Sequence, residues 1–306
     1  MKKNSKEQMQ QQCESLIGVF DSDLEKLQQR IGIDRSPNTY SRQLQIRNTV
    51  ANYIVETMQV TDIPLEKLTP AFIYDFSTWL SIKRHYRTGT IWLTCQQLKS
   101  VVSRAFQKGL MPNNPFYRFH AKKTIRPRQY LTQQELQQVI KLPISDALMA
   151  RHRDLFVFSA LTGIAFVDIC RLKATDIYTI NGEAWISAQR QKTHTPYMVR
   201  LLPRALRILQ ANRADNDPIF GPICYRTVAK HIPIIIEACG IQKHITFHCA
   251  RHSFAVASLS AGMPIESISR ILGHSNIATT QIYARITTEK LSADMDKLQA
   301  FCDKCV

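Results

Sequence analysis

Only one stretch of this 306-residue chain reads as β structure, and it limits the fold more than any other feature. Ile177–Ile180 and Glu183–Ala188 flank Asn181-Gly182, the dipeptide that supplies the positive φ angles of a type I′ hairpin turn. A polar turn, Gln191-Lys192-Thr193-His194-Thr195, then leads to a third short strand, Tyr197–Leu202. Three short strands cannot close on themselves or bury a face alone, so they must rest on helices. The expected class is mostly α with a small antiparallel sheet.

The remaining sequence has helical periodicity. Four helices are expected in the N-terminal part. The first spans 12–30, with Leu16, Phe20, Leu24 and Leu27 inward. The second follows Pro37, with Tyr40, Leu44, Val50 and Ile54 along one side. Thr69-Pro70 caps and opens a third carrying Phe72, Ile73, Phe76 and Leu80. The fourth spans 89–108, with Ile91, Leu98, Val101, Val102 and Ala105 inward and Gly109 as its stop. This gives a helical domain over 1–117. Residues 118–130 are basic, contain proline and lack periodicity, as an interdomain linker would. Thr132 with Glu135 then forms a capping box that opens a second domain, 131–306. Its further helices are expected near 147–163, 203–212, 224–238, 247–261, 265–272, 277–284 and 287–301. In the last, Ile286, Leu291, Met295 and Leu298 mark a face for its own domain or a neighbouring protomer.

Forty Lys and Arg against 24 Asp and Glu give a net charge of +16, which points to a polyanionic partner. From Ser77 to Gln134 there are 11 Lys and Arg and no acidic residue. Lys83, Arg84, Arg87, Lys99, Arg104, Lys122, Lys123, Arg126 and Arg128 are therefore candidate DNA-backbone contacts. No run approaches the ~18 apolar residues of a membrane span, and the N-terminus is polar throughout, so a cytoplasmic protein is expected. The scattered cysteines read as free thiols. Cys302 and Cys305 have the spacing of half a zinc site, but no second pair matches, and no metal is expected.

The chemistry-bearing residues fall in the last third: His248-Cys249-Ala250-Arg251-His252, then Leu272-Gly273-His274, then Thr280-Gln281-Ile282-Tyr283. On a helix His248 and Arg251 share a face, and Gly273 would leave His274 at a helix tip. Such a set suits phosphoryl transfer, which needs a nucleophile in line, cations over the developing charge and a donor for the leaving oxygen. A tyrosine, with a pKa near 10, gains as a nucleophile from nearby positive charge. His252 reads as a supporting or structural histidine. The pair His248 and His252 imitates a helical metal site but lacks the glutamate of a His-Glu-x-x-His motif. A metal-dependent nuclease is thus the weaker enzyme reading.

The order His-x-x-Arg, Leu-Gly-His and then Tyr resembles the C-terminal signature of the tyrosine recombinase, or phage integrase, family. The segments Leu65–Pro70 and Asn114-Pro115-Phe116 resemble its helical, SAM-like core-DNA-binding domain. The resemblance implies a site-specific recombinase for integration, excision or inversion, as encoded by a phage or mobile element. Tyr283 would form a 3′-phosphotyrosine, Arg251 would hold the nonbridging oxygens and His248 would assist proton transfer. His274 would hydrogen-bond the phosphate, Lys192 would protonate the leaving 5′ oxygen and Asp168 would support the site. It also implies that no cofactor, metal or ATP is used. The implied partner is double-stranded DNA with paired sites, clamped between the two domains by a homodimer or homotetramer, with room for an accessory DNA-bending protein.

One position departs from the pattern. The family's first arginine belongs where this chain has Ala165, in Thr162-Gly163-Ile164-Ala165. Arg190 is the leading substitute, because side chains two apart on an extended chain share a face, which groups it with Lys192. Arg171 is the second choice. If neither serves, the alternative is a catalytically impaired DNA-binding protein on the same fold.

Overall fold

The computed structural model describes residues 15–122, 128–214, 216–283 and 288–303. The chain divides into two compact units, Met1–Arg126 and Pro127–Val306.

The first unit holds α1 (Leu16–Gln29), α2 (Pro37–Met58), α3 (Pro70–Ile82) and α4 (Thr88–Gln107). Ser15 caps α1, its hydroxyl accepting from the Gly18 amide at 3.3 Å; residues 12–14 of the expected first helix lie outside the described residues. Proline opens α3 as expected, but the Thr69 side chain makes no capping hydrogen bond. The apolar faces meet in a core containing Phe20, Ile54, Phe76, Leu80 and Leu98, with the Tyr53 ring edge-on to Phe72 and Trp79. This core runs past the expected boundary at 117, because Phe119, 4% exposed, is part of it. Lys99 fastens that tail by donating from Nζ to the carbonyls of Tyr117 (2.9 Å) and Phe119 (2.7 Å).

In the second unit, the Thr132–Glu135 capping box opens α5 (Gln133–Lys141), with reciprocal bonds of 3.2 and 2.7 Å. Then follow α6 (Ala147–Thr162) and a four-residue helix, α7 (Phe166–Ile169). The sheet is the expected meander, β1 (Ile177–Ile180), β2 (Glu183–Gln189) and β3 (Pro196–Arg200), in the order β1-β2-β3. Asn181 and Gly182 take φ of +51° and +80°, and Ile186 pairs with Val199. Ile186, Tyr197 and Val199 are buried, which gives the sheet its inner face.

Helices α8 (Pro203–Ala211), α9 (Tyr225–Ala238), α10 (Phe247–Ser260), α11 (Ile265–Ile271), α12 (Ala278–Gln281) and α13 (Thr288–Cys302) complete the unit. The half-buried α6 packs along α10, and β3 packs on α11, which brings the hairpin to the end of α11. On α13, Met295 and Leu298 are exposed, whereas Ile286 and the Leu291 side chain lie outside the described residues. Among the described residues no helix is long and apolar enough to cross a membrane, and no group of three metal-ligating side chains forms.

Candidate active site

The turn after α6 leaves Asp168 on α7 almost sealed from solvent. A buried carboxylate needs partners, and the β2–β3 turn supplies both. The Gln191 amide donates to Asp168 Oδ1 at 2.9 Å, and Arg190 Nε lies 2.7 Å from Oδ2. Arg190 also donates from Nη1 to the Leu272 carbonyl at 2.9 Å. That carbonyl accepts from Arg251 Nη2 as well, while Arg251 Nη1 donates to the Gly163 carbonyl at 2.7 Å. Two guanidiniums, one from the hairpin and one from α10, thus converge on a single oxygen at the end of α11. Burial and the charge of Arg190 pull Arg251 down to about 9, so it is still charged at neutral pH.

Gly273 makes the convergence possible. Its φ is +59°, and a Cβ there would lie 2.8 Å from Arg190 Cγ and 3.3 Å from Tyr197 Cβ. The turn it makes presents His274, whose Nδ1 lies 2.8 Å from the Oγ1 of the fully buried Thr280. Nε2 is then the ring's remaining hydrogen-bonding atom. Asn276 starts the next turn by accepting from the Ala278 amide at 2.8 Å. Tyr283 follows α12 and packs against the small apolar cluster of Phe254, Ala255, Ile268 and Leu272.

The Tyr283 hydroxyl lies 2.6 Å from Nδ1 of His252, a residue expected to be supporting or structural. His248, one turn earlier on α10, meets the His252 ring edge-on with centroids 4.4 Å apart. Burial first, and neighbouring cations next, hold His252 at about 3, and His248 and His274 at about 4. All three are neutral at pH 7, although His248 keeps a face open to solvent. Burial raises the Tyr283 pKa, against the opposing charges of Arg128, Arg251 and Arg190.

Arg128 is the second residue whose place the sequence did not reveal. Its sequence context is that of a linker cation, yet its charge acts on Tyr283 and on all three histidines. Its position follows from Leu131, which is buried and donates its amide to Ser253 Oγ on α10 at 2.8 Å. A serine following His252 gave a faint signal for that anchor, but only the tertiary structure shows what it holds.

The other expected residues divide. Lys192 is exposed on the turn, close enough for its charge to act on His248. Arg171 is exposed and takes no part in the cluster. Of the candidate DNA contacts, Lys83, Arg87 and Lys122 are exposed, and Lys123 and Arg126 lie outside the described residues. Three others are already engaged in their own unit: Arg104 with Asp23 (2.8 Å), Arg84 with Glu56 (2.7 Å) and over the Trp79 ring, and Lys99 with the two carbonyls above.

Comparison with known proteins identifies the family. The pattern described as the phage integrase family matches residues 129–290, and that of the phage integrase SAM-like domain matches 15–125. The tyrosine recombinase XerC of Halalkalibacterium halodurans is 23% identical over 269 residues, covering 80% of this chain and 88% of its own. The tyrosine recombinase XerC of Lactobacillus leichmannii is 26% identical over 212 residues, covering 64% and 72%. Among solved structures, the Tn1549 transposon integrase in complex with a circular intermediate DNA has a TM-score of 0.74 at 17% identity, covering 92% of this chain and 99% of that one. A lambda integrase dimer bound to a COC′ core site has a TM-score of 0.70 at 16% identity, covering 89% and 98%. These two likenesses bear on the fold. The chain belongs to the phage integrase family. It is a tyrosine recombinase, an enzyme that cleaves and religates DNA through a tyrosine in site-specific recombination.

Proposed function

We propose that Tyr283 is the nucleophile of this recombinase and that Arg190 supplies the charge missing at Ala165. One observation carries the reading: Arg190 and Arg251 donate to the same Leu272 carbonyl, with Asp168 as the acidic partner beside them. Two enclosed cations against one carboxylate leave a surplus of positive charge that a phosphodiester would neutralise. Tyr283 attacks the scissile phosphate, forming a 3′-phosphotyrosine and releasing a 5′ hydroxyl. Arg190, Arg251 and the free nitrogen of His274 hold the nonbridging oxygens, Lys192 protonates the leaving oxygen and Asp168 fixes Arg190. The phosphotyrosine conserves the bond energy, so neither ATP nor metal enters the scheme.

Lys83, Arg87, Lys122, Lys123 and Arg126 contact the backbone of double-stranded DNA in the cytoplasm. Paired sites bring two such duplexes together through a homodimer or homotetramer, with an accessory DNA-bending protein where the sites demand curvature. The exposed Met295 and Leu298 of α13 offer an apolar face to a neighbouring protomer.

Covalent capture tests the reading. A random-sequence pool of nicked duplexes is incubated with the protein, and adducts that survive denaturant are recovered. The wild type is expected to yield adducts, and Tyr283→Phe none. A wild type that binds DNA without forming an adduct would instead establish the impaired DNA-binding alternative.

A further inference from the structure

We propose that His252 is the general base that takes the proton from Tyr283. The inference rests on the reading of Tyr283 as nucleophile and adds a catalytic residue to it. By the family resemblance, proton transfer would fall to His248. Among the described residues, however, His252 is the histidine within hydrogen-bond distance of the reacting oxygen, at 2.6 Å from Nδ1. The ring is fixed on three sides. It is only 5% exposed on α10, His248 packs edge-on against it, and the Tyr283 ring lies at 5.3 Å between centroids. The hydroxyl has no other hydrogen to give, so donation to His252 requires Nδ1 to carry the lone pair and Nε2 the hydrogen.

The step balances as follows. The Tyr283 oxygen forms a bond to phosphorus as the bond from phosphorus to the 5′ oxygen breaks. The tyrosine proton passes to His252 Nδ1, and Lys192 supplies a proton to the 5′ oxygen. Religation runs the same transfers backwards.

Charge determines when the base can act. The groups facing His252 are His248 and Arg251 on its own helix, His274 after α11 and Arg128 before α5, and with burial they disfavour an imidazolium. Tyr283 therefore keeps its proton in the free protein. A scissile phosphate between the arginines brings negative charge that grows on the way to the transition state, and it offsets the cations that forbade protonation. On this account the nucleophile is activated by the arrival of its substrate, which protects DNA held in any other register.

The test compares leaving groups in single-turnover cleavage. The substrate is a duplex recovered by covalent capture on the wild type, made with either a normal phosphate or a bridging 5′ sulfur at the scissile position. A thiolate leaves without being protonated. Lys192→Ala should therefore be slow on oxygen and largely restored on sulfur. His252→Phe should be slower by about 10²-fold or more on both, the range of general acid–base catalysis, with unchanged affinity for the duplex. His252→Asn keeps an acceptor near the position of Nδ1 but no basicity, so it guards against a folding defect in the Phe variant. It should remain at least about tenfold slow on both substrates. Wild-type rates for either variant, full rescue by Asn, or rescue of the His252 defect by sulfur would each overturn the proposal. Failure of the wild type to form an adduct would instead overturn the reading of Tyr283 itself.

Discussion

Gly273→Ala tests the relocated arginine without touching its charge. Gly273 has a φ of +59°, where an alanine costs roughly 1–2 kcal/mol. The new Cβ would also sit 2.8 Å from Arg190 Cγ and 3.2 Å from Cδ, against an ordinary carbon contact of about 3.5–4.0 Å. Arg190 must therefore give way by roughly 1 Å. It cannot do so freely, because its guanidinium is held to Asp168 at 2.7 Å and to the Leu272 carbonyl at 2.9 Å. A shift of that size breaks one or both contacts and moves a donor off the phosphate. The expected cost is that of losing a transition-state donor, about 10²–10³ in rate. Gly240→Ala is the control. Its φ is +72°, with nothing within 4 Å of a Cβ, so it carries the backbone cost alone. Melting points should fall for both variants, by about 2–4 °C per kcal/mol for a unit of this size, but only Gly273→Ala should lose single-turnover cleavage. In an Arg190→Ala background, Gly273→Ala should add little further loss, because the side chain it displaces is gone. Losses that multiply in the double variant, or a Gly273→Ala enzyme as fast as Gly240→Ala, would show that the seating of Arg190 is not what the rate depends on.

Further expectations follow from the same geometry. Arg190→Ala should cut the captured duplex about 10²–10³-fold more slowly than wild type, whereas the exposed Arg171→Ala should match wild type in the same assay. Arg128→Ala should slow cleavage at neutral pH with little change in affinity. Lys122→Ala should instead weaken binding and lower the salt slope by about one unit, so affinity titrations across salt concentrations separate the two roles. The histidines also predict a pH dependence of stability. His252, His248 and His274 sit at about 3, 4 and 4 in the folded chain, below the ordinary 6.5. Between those values the unfolded chain binds protons that the folded one does not, so stability is full above pH 6.5 and falls as the pH drops towards 4. Melting curves from pH 7 to 4.5 should show that decline, and His252→Phe should flatten it; identical slopes would refute the assignment.

The sequence exposed most of the helices because their apolar faces repeat regularly, and it exposed the hairpin because Asn181-Gly182 has few other uses. Its resolving power ended where placement depends on contacts distant along the chain. Phe119 belongs to the first core, but nothing local distinguishes it from a linker residue; the two carbonyl bonds from Lys99 hold its segment in place. Lys99 and Arg104 looked like free cations because their internal partners, those carbonyls and Asp23, are 18 or more positions away. At the site, Arg190 stood out as a candidate because Ala165 left a gap and a cation lay at strand spacing from Lys192. His252 could not. Its contact with Tyr283 spans 31 positions and depends on how the chain turns back after Gly273 and Asn276. Arg128 was hidden for a similar reason, since its place follows from the bond between Leu131 and Ser253, 122 positions apart.

Seating the arginine on the hairpin in place of position 165 would also change how the site is assembled. An arginine at position 165 would stand on the extended residue that precedes α7, independently of the sheet. Arg190 instead shares a short turn with Lys192, so in the proposed scheme the group that holds the phosphate and the group that protonates the leaving oxygen stand on the same six residues. That turn is closed by the Arg190 amide donating to the Thr195 carbonyl at 3.0 Å and the His194 amide donating to the Arg190 carbonyl at 2.8 Å. It is pinned to the helical layer through Asp168, which accepts the Gln191 amide on one oxygen and faces Arg190 with the other. In that scheme Asp168 orients both functions at once. Asp168→Asn would keep the size of the side chain but remove the charge opposing Arg190, leaving two like-charged guanidiniums around one carbonyl. Because repulsion loosens the turn as well as Arg190, the variant should lose more than Arg190→Ala does on the oxygen substrate. It should also recover partly on the bridging-sulfur duplex, where Lys192 is not needed. Arg190→Ala, with the turn intact, should show no such recovery.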